Sequence, residues 1–176
     1  SIGYQLPDEY ESTYELCCDF KDSVSDVYFS WANERGGRMP LCPDDLESVE
    51  EICEYQLEEL RAIRKLGISL TLLFNANCYG EDANSTKLAQ KYVDLCEYLK
   101  KEADISSVTT TSPFIAKNLK KAFGKDIKIK ASVNMRIGTL HAVDQLSDFF
   151  DGFYIAKELN RDLCAIKEMK EYCEKC

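Results

Sequence analysis

The sequence is poor in histidine and in long apolar runs, and each shortage excludes a class of protein. His141 is the only histidine among the 176 residues, and no HExxH segment occurs. The usual zinc peptidases are therefore excluded, because their sites need several histidine ligands. No run approaches about 18 consecutive apolar residues, so no transmembrane helix is predicted. Gly36 and Gly37 lack the spacing of a phosphate-binding glycine motif, and no nucleotide site is predicted.

The chain also lacks an excess of positive charge. It has 31 acidic and 22 basic residues, for a net charge of −9. Because neutralising phosphates requires Lys and Arg, this balance disfavours nucleic acids and anionic membranes as partners. The nine cysteines are an odd number, and no secretory segment accompanies them, which predicts reduced thiols in a cytoplasmic protein.

What the chain does contain is one pattern repeated six times: a short apolar or β-branched stretch, a polar cluster and then an amphipathic helix. The stretches are residues 2–6, 26–31, 68–74, 105–110, 127–133 and 152–155. Strands alternating with helices predict βαβ units and a parallel sheet. No linker or low-complexity tract interrupts the pattern, so residues 1–176 are predicted to form a single (β/α) domain.

The helices are predicted from apolar residues that recur at spacings of three and four. In the second helix this stripe is Leu46, Val49, Cys53, Leu57, Leu60 and Ile63. Several cysteines lie on such stripes and are predicted to be small buried hydrophobes: Cys17, Cys53, Cys96 and Cys164.

The number of units leaves two architectures open. A closed (β/α)₈ barrel needs eight units and about 250 residues. Six units form either an open six-stranded sheet or the first part of a TIM-like barrel, and the resemblance described next favours the truncated barrel. An exposed sheet edge invites pairing with another chain, which predicts a homo-oligomer that covers it.

Three segments resemble the collagenase-like (U-thirty-two) peptidase family. Residues 26–31 resemble the second strand of that family, an aromatic-rich segment that Arg35 and Arg38 follow closely. Residues 130–135 resemble its fifth strand, and residues 156–160 resemble the segment that ends its sixth. The similarity runs along the whole chain in order, although each motif is short.

The resemblance implies a (β/α) barrel and two kinds of activity. Some members are described as proteases, whereas others resemble oxygen-independent hydroxylation factors that carry an iron–sulfur cluster and modify RNA or quinone precursors. The cluster-bearing relatives take most of their cysteine ligands from the later part of the barrel. Here Cys42 and Cys78 are the two cysteines predicted in loops at the mouth, and two ligands do not complete a cluster site.

The candidate site follows from the fold, because parallel strands bring the loops that leave them to one face. Glu158 directly follows an apolar strand and is the predicted general base, with a structural ion pair to Arg136, Lys157 or Arg161 as the alternative. Arg38 is the second predicted catalytic residue. The predicted substrate-binding residues are Arg35, Asn75, Asn77, Ser132, Asn134 and Arg136.

Two further hypotheses concern reactive side chains. Arg35 and Arg38 flank flexible backbone and suit bidentate recognition of a carboxylate or phosphate, with a solvated loop as the alternative. A nucleophilic mechanism would have to pair His141 with Cys78 or Ser132, although nothing in their spacing enforces such a contact.

Three functions stay open from the sequence. The first is a peptidase-like, hydrolytic barrel protein that binds a polar substrate at the carboxyl ends of the strands. The second is an iron–sulfur-dependent modification factor that needs cysteines from a longer parent chain. The third is a binding or assembly module without catalysis.

Overall fold

The structure is a computed structural model that describes residues 1–7, 11–32, 34, 48–76 and 78–175. Six strands form one sheet: β1 (Ile2–Gly3), β2 (Asp26–Phe29), β3 (Ser69–Phe74), β4 (Ser107–Thr110), β5 (Lys128–Ala131) and β6 (Gly152–Phe153). Within these described residues, six α-helices alternate with the strands: α1 (Thr13–Asp19), α2 (Val49–Lys65), α3 (Thr86–Ala103), α4 (Pro113–Phe123), α5 (Leu140–Leu146) and α6 (Leu163–Lys175). The same residues include 3₁₀ turns at Gly80–Asp82, Val133–Met135 and Lys157–Leu159.

All the strands are parallel, and each pairs with the next one along the chain, in the order β1-β2-β3-β4-β5-β6. A doubly wound sheet reverses its strand order at a switch point, whereas a (β/α) barrel adds every new strand on the same side. The unbroken sequential order therefore confirms the predicted α/β fold of the barrel type, with six βα units.

The hydrophobic core lies between the sheet and the helices. Alternate strand residues belong to it, among them Val27, Leu70, Leu72, Val108 and Ile129. Because successive side chains of a strand point to opposite faces, the residues between them face the other side of the sheet. We call that other side the inner face, since in a barrel it is the concave one.

Local sequence explains where the helices begin and end. The hydroxyls of Ser48, Ser85 and Ser112 each accept the backbone N–H three residues ahead, at the start of α2, α3 and α4. Pro113 occupies the first turn of α4, where its missing N–H costs nothing. At the other end Gly124 has φ +56°, a left-handed conformation that favours glycine.

Two parts of the predicted burial pattern are wrong. Val49 is 44% exposed, and Ile52 is buried in its place on α2, while Leu46 lies outside the described residues. Cys17 and Cys96 are buried as predicted, but Cys164 is exposed at the start of α6. No helix in the described part of the chain is both long and apolar enough to cross a membrane.

Candidate site at the carboxyl ends of the strands

The loops that leave β5 and β6 are joined to each other. After β5, the buried Ser132 hydroxyl accepts the Asn134 N–H at 3.2 Å and so caps the turn Val133–Met135. The chain then resumes parallel pairing, because Ile137 bridges Ile155 and the Ala156 N–H donates to the Ile137 carbonyl at 2.8 Å. The two loops therefore hold their side chains in a fixed relative position.

Gly138 lies where these two loops come close together. A β-carbon at this position would lie 3.2 Å from Cδ1 of Leu159 and 3.7 Å from the β-carbon of Ala156. The first distance is tighter than an ordinary van der Waals contact, so an alanine here would require the Leu159 side chain to move by a few tenths of an ångström.

Arg136 stands at the centre of this arrangement. Its backbone is left-handed, with φ 53° and ψ 44°, and its N–H donates to the Val133 carbonyl at 3.0 Å. A residue other than glycine seldom adopts this conformation, and such residues cluster at functional sites. The Arg136 guanidinium donates to the Glu158 carboxylate across the two loops. The ion pair that the sequence offered as the alternative role of Glu158 is therefore present.

The pair lines a shallow depression. Its volume is about 260 Å³, and its walls are Val133, Asn134, Arg136, Lys157 and Glu158. Two cations face one carboxylate, so the depression carries a net positive charge. The Arg136 side chain is 72% exposed and that of Glu158 is 58% exposed. Exposed ion pairs contribute little to stability, because water solvates both partners. A ligand can therefore replace either partner at small cost.

A second group of polar residues, which includes Asn75, lies at the carboxyl end of β3. The Asn75 side-chain oxygen is buried and has no hydrogen-bond partner within the described ranges. The loop around it is ordered by Thr111, whose hydroxyl donates to the Ala76 carbonyl at 2.8 Å, and by Tyr79, whose hydroxyl donates to the Phe74 carbonyl. Burial raises the pKa of Tyr79, although side-chain hydrogen bonding with Thr110 and Thr111 opposes that effect. Asn75 thus offers an unused acceptor on a rigid support.

The predicted nucleophile pairs are not brought together. The His141 ring lies 3.0 Å from the Gln145 amide on α5, the Cys78 thiol accepts the Gly80 N–H at 3.3 Å, and the Ser132 hydroxyl serves as a cap. Within the described chain, no hydrogen bond joins His141 to Cys78 or Ser132. No three histidine, cysteine, aspartate or glutamate side chains of the described residues form a group that could hold a metal ion.

Several predicted site residues lie outside the described residues: Arg35, Arg38, Asn77 and Cys42. Their roles stay predictions. Cys78 is described and exposed, as expected of a loop residue at the mouth, but its role as a metal ligand is untested.

The structure also shows a buried carboxylate that the sequence did not suggest. The Glu34 side chain, three residues after Trp31, is only 7% exposed and pairs with Lys91 of α3 at 2.6 Å. Nothing in the local sequence distinguishes Glu34 from a solvent-exposed loop residue. Its ion-pair partner is a lysine 57 positions away, which only the fold brings near.

A larger cavity of about 590 Å³ lies on the helix side of the sheet, between α4, α5, α6 and β6. Its apolar walls include Ile137, Val143, Phe150 and Phe153. Lys120 and Asp151, which also line it, form an ion pair at 3.1 Å. The active sites of barrel enzymes lie at the carboxyl ends of the strands, so we do not assign this helix-side cavity to the candidate site.

Comparison with known proteins places the fold but not the activity. No protein-family profile matches the chain, and no curated protein matches it. It is similar to a solved structure titled "The Structure of the U32 Peptidase Mk0906", with a TM-score of 0.67 and 13% sequence identity. The match covers 97% of this chain but only 64% of that one. At this identity the similarity shows the fold alone, and in that respect it supports the predicted likeness to the U-thirty-two peptidases: the chain has the fold of a U32 peptidase over nearly its whole length.

Proposed function

We propose that this chain is the substrate-binding part of a peptidase-like (β/α)-barrel protein, and that it binds a polar, carboxylate-bearing peptide where β5 and β6 end. The observation that carries the proposal is the exposed Arg136–Glu158 pair in its positively charged depression. Because the chain spans 64% of the solved peptidase it resembles, the activity of a whole barrel is part of the proposal.

Binding begins as an exchange of carboxylates on Arg136. A guanidinium matches a carboxylate with two parallel hydrogen bonds, so a peptide carboxylate competes directly with Glu158 for the same donors. Lys157 adds a second positive charge in the same depression.

The exchange gives Glu158 its chemical role. Once a substrate carboxylate holds Arg136, the Glu158 carboxylate is released next to the bound peptide. It then accepts a proton from water as the water attacks the scissile carbonyl, and the proton passes to the leaving amine as the C–N bond breaks. Arg136 thus controls both substrate binding and the availability of the base.

The first test measures binding to Arg136→Gln. The ligand is a short peptide with a free carboxyl terminus, and its amide-capped form is the control ligand. Losing a charge-assisted hydrogen bond costs about 1.5–3 kcal/mol, so we expect the affinity to fall about 10- to 100-fold. Calorimetry or fluorescence anisotropy measures the change.

A matched control variant exists at the opposite end of the sheet. Arg64 pairs with Asp104 at 2.7 Å on the surface between α2 and α3. Arg64→Gln removes the same charge and should leave binding unchanged. Equal binding of the free and capped peptides, or equal affinity of wild type and Arg136→Gln, would contradict the proposal.

Glu158→Gln separates binding from catalysis. Removing the competing carboxylate should leave the affinity unchanged or raise it, while peptide hydrolysis by the full-length protein should disappear. If Glu158→Gln hydrolyses peptides at the wild-type rate, Glu158 is not the base, and its role is limited to pairing with Arg136.

A further inference from the structure

The inner face of the sheet carries Tyr28 and Leu73 on β2 and β3, but on β4 and β5 it is polar where a barrel is normally apolar. Val108, Ile129 and Ala131 belong to the core against the helices, so Ser107, Thr109, Lys128 and Lys130 alternate onto the inner face. Thr71 of β3 extends this set, because it pairs in register with Ser107. The interior of a closed (β/α) barrel is usually filled by Val, Ile and Leu. The inner face therefore has a chemistry that simple packing does not require.

Hydroxyl groups connect three of its strands. The Thr71 hydroxyl donates to the Asp26 carboxylate at 2.6 Å and lies 2.7 Å from the Ser107 hydroxyl. A hydroxyl has a single proton, so Thr71 accepts from Ser107 while it donates to Asp26. The Asp26 carboxylate thus accepts a hydrogen bond from a hydroxyl, and it forms no ion pair with any lysine in the part of the chain that the structure describes. The hydroxyl donors of this row all point toward β2, so none of them is directed at the lysines of β5.

The inner face also carries two positively charged side chains, Lys128 and Lys130, both on β5. Lys128 pairs in register with Ser107, and Lys130 pairs with Thr109. Neither lysine makes an ion pair with any residue in the described ranges, and Lys130 is half-buried. Lys128 is exposed, so the cost of desolvating a cation without an anion beside it falls on Lys130, and it favours an anionic occupant there.

Thr109 supplies the second, independent observation. Thr109 is only 3% exposed, and its hydroxyl has no hydrogen-bond partner among the residues that the structure describes. Native proteins rarely leave a buried hydroxyl without a partner, so each exception calls for an explanation, such as strain or an unseen ion or water. The hydroxyl faces the same side of the sheet as Lys130.

Tyr154 is a neighbour of Thr109 in this region. It follows β6 directly and is close enough to Thr109 for that hydroxyl to lower its pKa, although the two form no hydrogen bond of ordinary geometry. Burial raises the pKa of Tyr154, and the negative charge of Asp26 raises it further. Tyr154 therefore remains a protonated phenol at neutral pH and can donate a hydrogen bond.

We propose that the inner face holds an anion-binding site in which Lys128 and Lys130 provide the charge and the hydroxyls of Thr109 and Tyr154 provide hydrogen bonds. Its ligand is a carboxylate or phosphate group. Two cationic and two hydroxyl donors on neighbouring strands of one face are the kinds of group that bind such oxyanions. The site belongs to the strands and is separate from the depression formed by the β5 and β6 loops.

The test titrates the protein with inorganic phosphate and, separately, with acetate, while calorimetry measures the affinity and amide NMR locates the binding. We expect saturable binding of at least one probe, with the largest shifts at Thr109 and Lys130. Lys130→Met should weaken it about tenfold or more, as expected for the loss of a charge-assisted contact. Lys121→Met removes an exposed lysine from α4 on the helix side and should leave it unchanged.

Two further variants distinguish this site from binding at the loop depression and from a purely structural role of Thr109. Thr109→Val keeps the shape of the side chain and should weaken binding several-fold without reducing thermal stability. Arg136→Gln should leave phosphate or acetate binding on the inner face intact, even if it abolishes peptide binding at the loops. Phosphate binding alone would assign a phosphorylated ligand, and acetate binding alone would assign a carboxylate.

Three results would overturn the proposal. One is the absence of saturable binding of either probe. Another is an affinity that falls in Arg136→Gln but not in Lys130→Met, since the anion would then occupy the loop depression. The third is a Thr109→Val variant that loses stability but no affinity, because Thr109 would then have a purely structural role.

Discussion

Gln56→Leu is the perturbation for which the structure yields the clearest magnitude. Gln56 lies on α2 and is fully buried. Its amide nitrogen donates to the Ser30 carbonyl at 2.9 Å, and its amide oxygen accepts the Ala32 N–H at 3.0 Å. One helix side chain therefore fixes the backbone where the chain leaves β2, at the edge of the sheet that carries the candidate site.

Leucine is close to glutamine in size but makes neither bond. Each buried polar group that loses its partner costs about 1–3 kcal/mol, and added apolar burial offsets part of that cost. We therefore expect a loss of about 2–4 kcal/mol in the free energy of unfolding, a large share of the roughly 5–15 kcal/mol typical of a domain. The corresponding fall in melting temperature is about 5–15 °C for a chain of this length.

Urea denaturation followed by circular dichroism measures the change. Gln90→Leu is the matched control, because Gln90 is exposed on α3 and bonds only to Asp94 on the surface, at 2.7 Å. We expect the control to change stability by less than about 0.5 kcal/mol. A Gln56→Leu variant as stable as the Gln90→Leu control would refute the reasoning that Gln56 fixes the β2 exit.

Three further predictions follow from other contacts. Tyr4→Phe removes the buried bond from the Tyr4 hydroxyl to the Glu59 carboxylate, 2.7 Å long, and should cost about 1.5–3 kcal/mol in urea denaturation; a loss below 0.5 kcal/mol would show that Glu59 finds another donor. Asp26→Asn should lower the pKa of Tyr154, because it removes a nearby negative charge; an unchanged phenol titration by NMR would contradict this. If the iron–sulfur hypothesis holds, anaerobically purified full-length protein contains stoichiometric iron and sulfide, and Cys78→Ser reduces both; metal-free protein rejects the hypothesis.

The fold was predictable because its signals are local. Each helix shows an apolar stripe at spacings of three and four, and each strand is a short apolar stretch next to polar residues. Right-handed βαβ connections then leave few ways to arrange six such units. The sequential order of the strands is the part that the residue pattern left open, since an open sheet and a truncated barrel share the same alternation.

The polar groups inside the fold were not predictable in the same way. Gln56 and Glu59 interrupt the apolar stripe of α2 and read as solvent-facing residues, yet both are buried. Their partners, the Tyr4 hydroxyl and the backbone around Ser30, belong to β1 and β2 regions far away along the chain. The spacing of apolar residues along a helix gives no indication of such tertiary contacts.

The position of the candidate site stays a prediction, but the structure shows which of the predicted residues come together. The convergence of strand ends correctly brought Arg136 and Glu158 together from positions 22 residues apart. The same argument named Ser132 as a substrate-binding residue, whereas the structure uses its hydroxyl to cap the turn that presents Asn134. Sequence position fixes which loop a residue occupies, but not whether its side chain faces the ligand or the loop itself.

The most direct test of the central claim is an amide NMR titration of the ¹⁵N-labelled chain with a short peptide that has a free carboxyl terminus. The account predicts that the largest shift changes fall on Asn134, Arg136, Lys157 and Glu158, where the β5 and β6 loops meet. Shift changes confined to the helix-side cavity around Val143 and Tyr172, or none at saturating peptide, would contradict it.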